Sequence, residues 1–330
     1  MKKYIPLLIT ILLFVGSLSA CSSDSNKSSN DNDKIQIVTT IFPEYDWVQN
    51  ILGDNPTDAE VTMLLDSGID LHSYQPTADD ILKIATCDIF IYVGGESDEW
   101  VEDALSEATN KDMIVINLLE VLGDTVKEEE VVEGMQEDNE DHEEEEHVAE
   151  EIEYDEHVWL SLRNASILCD SIADAVETID PDHASVYSEN VTSYKEKLNA
   201  LDNEYASAVS GAKNRTLLFG DRFPFRYLVD DYNLDYYAAF VGCSAETEAS
   251  FETIVFLANK VDELGLHTVL TIEGQDHSIA ETIIQNTQTK NQEIATMDSM
   301  QGTTASDVQN GVTYLSIMEA NLAVLKNALN

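Results

Sequence analysis

The sequence predicts an α/β protein of two α/β sandwich lobes joined by a long rigid helix. Three observations lead there. Short runs rich in β-branched residues alternate with helical patterns, which implies parallel sheets with covered faces. The alternation occurs twice, in stretches of similar length. Between the two stretches lies one uninterrupted helical pattern, bracketed by Pro181 and Gly211.

The elements follow in order. Met1-Lys2-Lys3 is a basic start, and the apolar run at 5–15 is too short to span a membrane comfortably. It leads into "LSAC", which resembles the lipobox of a bacterial lipoprotein signal peptide and implies cleavage before Cys21 and acylation of its thiol. Each buried acyl methylene adds about 0.8 kcal/mol, so two or more chains would hold the protein firmly on the outer face of a cell membrane. Residues 22–34, "SSDSNKSSNDNDK", have nothing to bury and read as a flexible tether. The first lobe is placed at 35–179. Its strands are read in "IQIVTTI", "AEVTMLL", "CDIFIYVG" and "MIVINLL", and its helices in "DWVQNILGD" and "TADDILKIA". In the latter, Thr77 caps a first turn that carries Asp79 and Asp80, where carboxylates suit the helix dipole. The linking helix is placed at 180–211. The second lobe, 212–330, has strands in "RTLLFGD", "LDYYAAF", "HTVLTIE" and "EIATMD", and helices near 250–264, 278–287 and 311–329.

Residues 123–156 stand apart, with eighteen Asp or Glu against one Lys, and read as a disordered acidic insertion in the first lobe. The whole chain carries a formal net charge of -47. Such a chain repels nucleic acid and gathers cations. Beyond Cys21 the cysteines are Cys87, Cys169 and Cys243, an odd number without close-spaced metal or redox pairs, and buried free thiols are expected.

Ligands of open α/β sheets sit beyond the carboxyl ends of the strands. Reading those ends gives Asp70, His72 and Tyr74, then Asp221 and Arg222, then Glu273, then Asp298; His157 follows the acidic insertion. Imidazoles and carboxylates on both sides of one cleft make a mixed nitrogen and oxygen metal site.

Several motifs then carry a resemblance. "DLHSYQPTADDILKIATCDIFIYVG", "YDEHVWLSLRNA", "TMDSM" and "YLSIMEANLAVLKNAL" resemble, in order, the motifs of zinc and manganese ABC-transporter substrate-binding lipoproteins. The likeness runs from about residue 35 to the C-terminus. It implies a metal site in the interlobe cleft, with His72, His157 and Asp298 as ligands. Tyr74 and Trp159 match motif aromatics that pack rather than bind. The sequence departs from the pattern at Arg222, which stands where the family has a fourth ligand, His or Glu. A guanidinium cannot ligate, and a single charge about 5 Å from a divalent ion repels it by roughly 6 kcal/mol at an effective dielectric of about 20. Asp221 is the nearest substitute, with Glu246 and Glu273 behind it; His277 is read as a surface residue.

The resemblance implies a monomeric extracytoplasmic receptor, not an enzyme. It would carry Zn²⁺ as cargo and hand it to an ABC permease and its ATPase. His142 and His147 in the insertion would collect zinc near the cleft. Four other readings stay open at this point. Manganese suits two histidines with carboxylates. An anionic ligand or metal chelate would use Arg222 as its clamp. A metal-dependent hydrolase would need an open coordination position and a general base, without an H-E-x-x-H motif to support it. For a surface adhesin the sequence offers the location alone.

Overall fold

Among the described residues, eight strands form in the computed structural model, each within or beside a run named above. The structure describes residues 34–136, 153–244, 248–274 and 276–330. Cys21, residues 22–33 of the 22–34 tether, His142, His147 and Glu246 lie outside these residues. In the first lobe β1 (Gln36–Thr39), β2 (Glu60–Met63), β3 (Ile89–Tyr92) and β4 (Ile114–Asn117) make an all-parallel sheet in the order β2-β1-β3-β4. In the second lobe β5 (Thr216–Phe223), β6 (Asp235–Val241), β7 (Thr268–Thr271) and β8 (Glu293–Thr296) repeat the plan as β6-β5-β7-β8. One strand outruns its expected end. β5 continues past Asp221 to Phe223 through an irregularity against β6 between Phe219 and Arg222. Such an interruption re-aims side chains at a strand's end.

The linking helix is Ala184–Ser210, preceded by a single tight turn at Pro181–His183. At 1.5 Å per residue it is about 40 Å long. Its buried residues are Tyr187, Val191, Tyr194, Leu198, Leu201, Tyr205 and Val209. Steps of three and four give one apolar stripe, and this stripe lies on helices of both lobes, Phe42–Leu52 and Leu162–Ile179 on one side and Tyr314–Ala328 on the other. The three tyrosines are anchored as well as buried. Tyr187 donates to Asp180 (2.6 Å), Tyr194 to Asp46 (3.3 Å) and Tyr205 to the Met318 carbonyl (2.6 Å). A single apolar cluster runs through the first lobe, the helix and the near side of the second lobe, and a smaller one fills the far side of the second sheet.

The acidic stretch at 123–156 differs from expectation at its two ends. Residues 123–136 and 153–156 have defined places. Glu128 and Tyr154 form a bridge, and Glu129 N–H donates to the Glu153 carbonyl. The outgoing arm then lies on the second lobe. Lys127 pairs with Asp230, Arg226 with Glu130, and Gln136 N–H donates to the Ala239 carbonyl. Composition hid this because the docking contacts are made by single residues, Lys127, Glu130 and the Gln136 backbone, within a run that otherwise looks solvated.

Beneath the C-terminal end of the first sheet sit two buried carboxylates. Glu44 accepts from Thr40 N, Thr40 Oγ1 and Ile41 N at 2.8–3.3 Å. Asp98 accepts from Gly94 N at 2.9 Å. Burial first, and then the charge of Glu156, pushes Asp98 from 3.8 up to about 7. The native protein therefore keeps a proton that the unfolded chain has released, and this group removes stability as pH rises between about 4 and 7. Asp98→Asn keeps an acceptor for Gly94 without the charge. Urea unfolding across that pH range should show a flatter decline for the variant; an unchanged slope would contradict the assignment.

Candidate metal centre

The loop after β2 places His72. Asp70 caps its short turn, Leu71–Ser73, by accepting from His72 N at 3.0 Å. A second imidazole arrives from the returning arm of the acidic stretch. His157 is fully buried, and Asp155 accepts from its backbone N–H at 2.9 Å. The two Nε2 atoms stand 3.2 Å apart. Each ring is held by its far nitrogen. His157 Nδ1 lies 3.1 Å from Asp155 Oδ1, and His72 Nδ1 lies 2.7 Å from Ser97 Oγ and 3.5 Å from Glu156 Oε2. A carboxylate only accepts, so the Nδ1 of His157 carries a hydrogen and its Nε2 offers a lone pair when the ring is neutral. This is the arrangement in which outer partners fix the tautomer of metal-binding imidazoles.

The support reaches across both lobes. The carbonyls of Asp155 and Trp159, flanking His157, accept from Tyr227 (2.7 Å) and Tyr314 (2.6 Å), and Trp159 Nε1 donates to the Ser299 carbonyl (2.8 Å). Two glycines allow the close approach. Gly95, at φ +83°, would set a Cβ 2.3 Å from Glu156 Oε1, and a Cβ on Gly242 would lie 2.9 Å from both His157 Cε1 and the Phe223 carbonyl oxygen.

The other sequence candidates fall out as follows. Asp298 takes Met300 N–H at 2.7 Å and is raised to about 6 by burial and then by Glu273. Glu273 accepts from Ser299 N and Oγ, Gln301 N and Gly302 N, and so shapes the loop that carries Asp298. Asp221 accepts from the backbone N–H groups of Arg222 (2.9 Å) and Ile272 (3.2 Å). Arg222 reaches Asp70 across the lobes at 2.5 Å and donates to the Ser244 carbonyl at 3.3 Å. Tyr74 donates to Asp80. Among the described residues, the group of three or more potential ligand atoms lying within 4.8 Å of one another is His72, His157 and Cys243. Asp298 and Asp221 are not in it. Cys243 was missed because a single cysteine has no spacing signal; its place just past β6 was the clue available. Cys87 and Cys169 are buried free thiols, as expected.

The comparisons bear on this geometry. The pattern of the family described as zinc-uptake complex component A periplasmic (ZnuA) matches residues 37–328. The chain belongs to the ZnuA family. It is 31% identical over 328 residues to the zinc-binding lipoprotein AdcA of Streptococcus pneumoniae serotype 4, covering 99% of this chain and 61% of that one. It is 27% identical to the high-affinity zinc uptake system protein ZnuA of Bacillus subtilis, covering 99% and 98%. It thus spans 61% of the length of the streptococcal relatives. Among solved structures, the Zn(II)-bound ZnuA-like domain of Streptococcus pneumoniae AdcA superposes with a TM-score of 0.68 at 27% identity, over 90% of this chain and 99% of that one.

The two rings titrate as a pair. Burial, and then the neighbouring His157, drives His72 down to about 3. Burial also opposes charging of His157, but Asp155 and Glu156 outweigh it and raise that ring above 6.5. One proton is held readily and a second is refused. Imidazole NMR over pH 4–8 should show His157 titrating above the usual histidine range and His72 remaining uncharged. Asp155→Asn should lower the His157 midpoint; no movement would mean that the carboxylate does not set it.

Proposed function

We propose that this protein is an extracytoplasmic receptor that captures Zn²⁺ between its lobes and delivers it to an ABC permease and its ATPase, without catalysing a reaction. The observation that carries the reading is the pair of Nε2 atoms 3.2 Å apart with both Nδ1 atoms tied behind them. Donors at that separation, each about 2.05 Å from a zinc ion, subtend about 100° at the metal, close to tetrahedral. When His157 is neutral its Nε2 lone pair faces His72 Nε2, and a shared proton or a metal cation fits between the two nitrogens.

The pairing of Arg222 with Asp70 supports the same reading. The guanidinium lies near enough to disfavour charge on both histidines, and its charge is balanced by a carboxylate. An Arg already engaged by Asp70 and Ser244 is a poor clamp for an anionic ligand. Family membership and the zinc-binding names of the relatives favour zinc over manganese. The acylated Cys21 would hold the receptor at the membrane. Asp298, on the second lobe, is the oxygen donor we assign to complete the shell on closure, and Asp221 is a weaker candidate because both its oxygens serve backbone N–H groups.

Calorimetric titration with Zn²⁺ and with Mn²⁺ tests the proposal. One tight zinc site is expected, weakened more than about a hundredfold by His72→Ala or His157→Ala. Binding should fall as pH drops through the raised His157 range, because the ion displaces the proton that the pair holds. Tight zinc binding in both alanine variants would overturn the reading. Excising residues 137–152 should leave that affinity nearly unchanged, whereas a longer excision would remove Asp155 and Glu156 and should not.

A further inference from the structure

We propose that Cys243 is a thiolate ligand of the same ion and that it sets the metal preference of the site; this rests on the reading that His72 and His157 take the ion. The placement carries it. The Cys243 sulfur and one nitrogen of each histidine lie within 4.8 Å of one another, and no carboxylate among the described residues joins both histidines at that range. The second-lobe carboxylates nearest in sequence to the expected positions are occupied: Asp221 by two backbone N–H groups, Glu273 by four donors of the 299–302 loop.

The chain brings the thiol there by construction. β6 ends at Val241, and Gly242 passes so close to His157 that any side chain would collide with the ring. Cys243 follows directly. Its backbone N–H is fixed by Glu129 Oε1 at 3.2 Å, from the docked acidic arm. Cys243 and His72 line a cavity of about 270 Å³ whose other walls include Glu96, Glu129, Glu153 and Glu156. Acidic walls draw a divalent cation in, toward His72 and Cys243, and His157 lies within 4.8 Å of both.

Nitrogen and sulfur donors around a tetrahedral zinc ion are about 3.5 Å apart. The thiol therefore needs to approach by no more than about 1.3 Å when the ion arrives. In that step the S–H bond ionises, the sulfur lone pair forms the metal bond, and the proton leaves to solvent through the acidic cavity. Two imidazoles and a thiolate favour Zn²⁺ and Co²⁺ over Mn²⁺, Ca²⁺ and Mg²⁺. The site would thus discriminate by donor chemistry where a carboxylate-rich shell could not.

Cobalt(II) chloride, added to the purified protein, reads the bond directly, because a thiolate–cobalt bond gives an intense near-ultraviolet charge-transfer band. The wild type should show that band at one equivalent, and Cys243→Ser should bind cobalt without it. The variant should also lose at least about tenfold in zinc affinity, while manganese affinity changes little. Circular dichroism establishes that the variant is folded. Stoichiometric cobalt binding without the band, or an unchanged zinc-to-manganese ratio in Cys243→Ser, would overturn the cysteine assignment. Metal binding indifferent to His72→Ala and His157→Ala would instead overturn the underlying site.

Discussion

The placement of one fully buried imidazole governs the rest of this structure. His157 has no contact with solvent, and a buried charged or half-charged ring is costly unless its polar atoms are satisfied. Asp155 meets both its backbone N–H and its Nδ1. Tyrosines of the second lobe bind the flanking carbonyls. The segment that carries the ring is thereby a joint between lobes, and the remaining free atom of that ring, Nε2, faces His72. Metal affinity and lobe association draw on the same few residues.

The charge balance around this joint is unusual for a chain with a net charge of -47. Close to the histidines an arginine joins Asp155 and Glu156, and Asp70 meets it from the opposite lobe. Further back, Asp98 and Glu44 are raised by burial and so add little negative charge. The field at the centre is therefore milder than the composition suggests. The acidic residues that attract a cation line the cavity together with His72 and Cys243, and His157 is fully buried beside them.

Much of this was legible in the sequence, and what was not has physical reasons. The strands announced themselves because parallel strands buried on both faces read as continuous β-branched runs. His72 was legible because a histidine just past β2 stands where open α/β sheets place ligands. Arg222 was recognised as a departure, but its partner Asp70 lies 152 residues away and pairing at that distance leaves no local pattern. Asp155 and Glu156 were absorbed into an acidic run although they hold the two imidazoles; composition cannot separate a carboxylate that accepts a hydrogen bond from one that is solvated. Cys243 and Gly242 gain meaning only once β6 is laid beside His157.

Zinc-edge X-ray absorption on the stoichiometric complex tests the central claim most directly. The account predicts outer-shell scattering from two imidazole rings around one ion, lost in part when either His72 or His157 is replaced. A spectrum of oxygen neighbours alone, unchanged by those substitutions, would place the ion on the acidic surface and contradict the account.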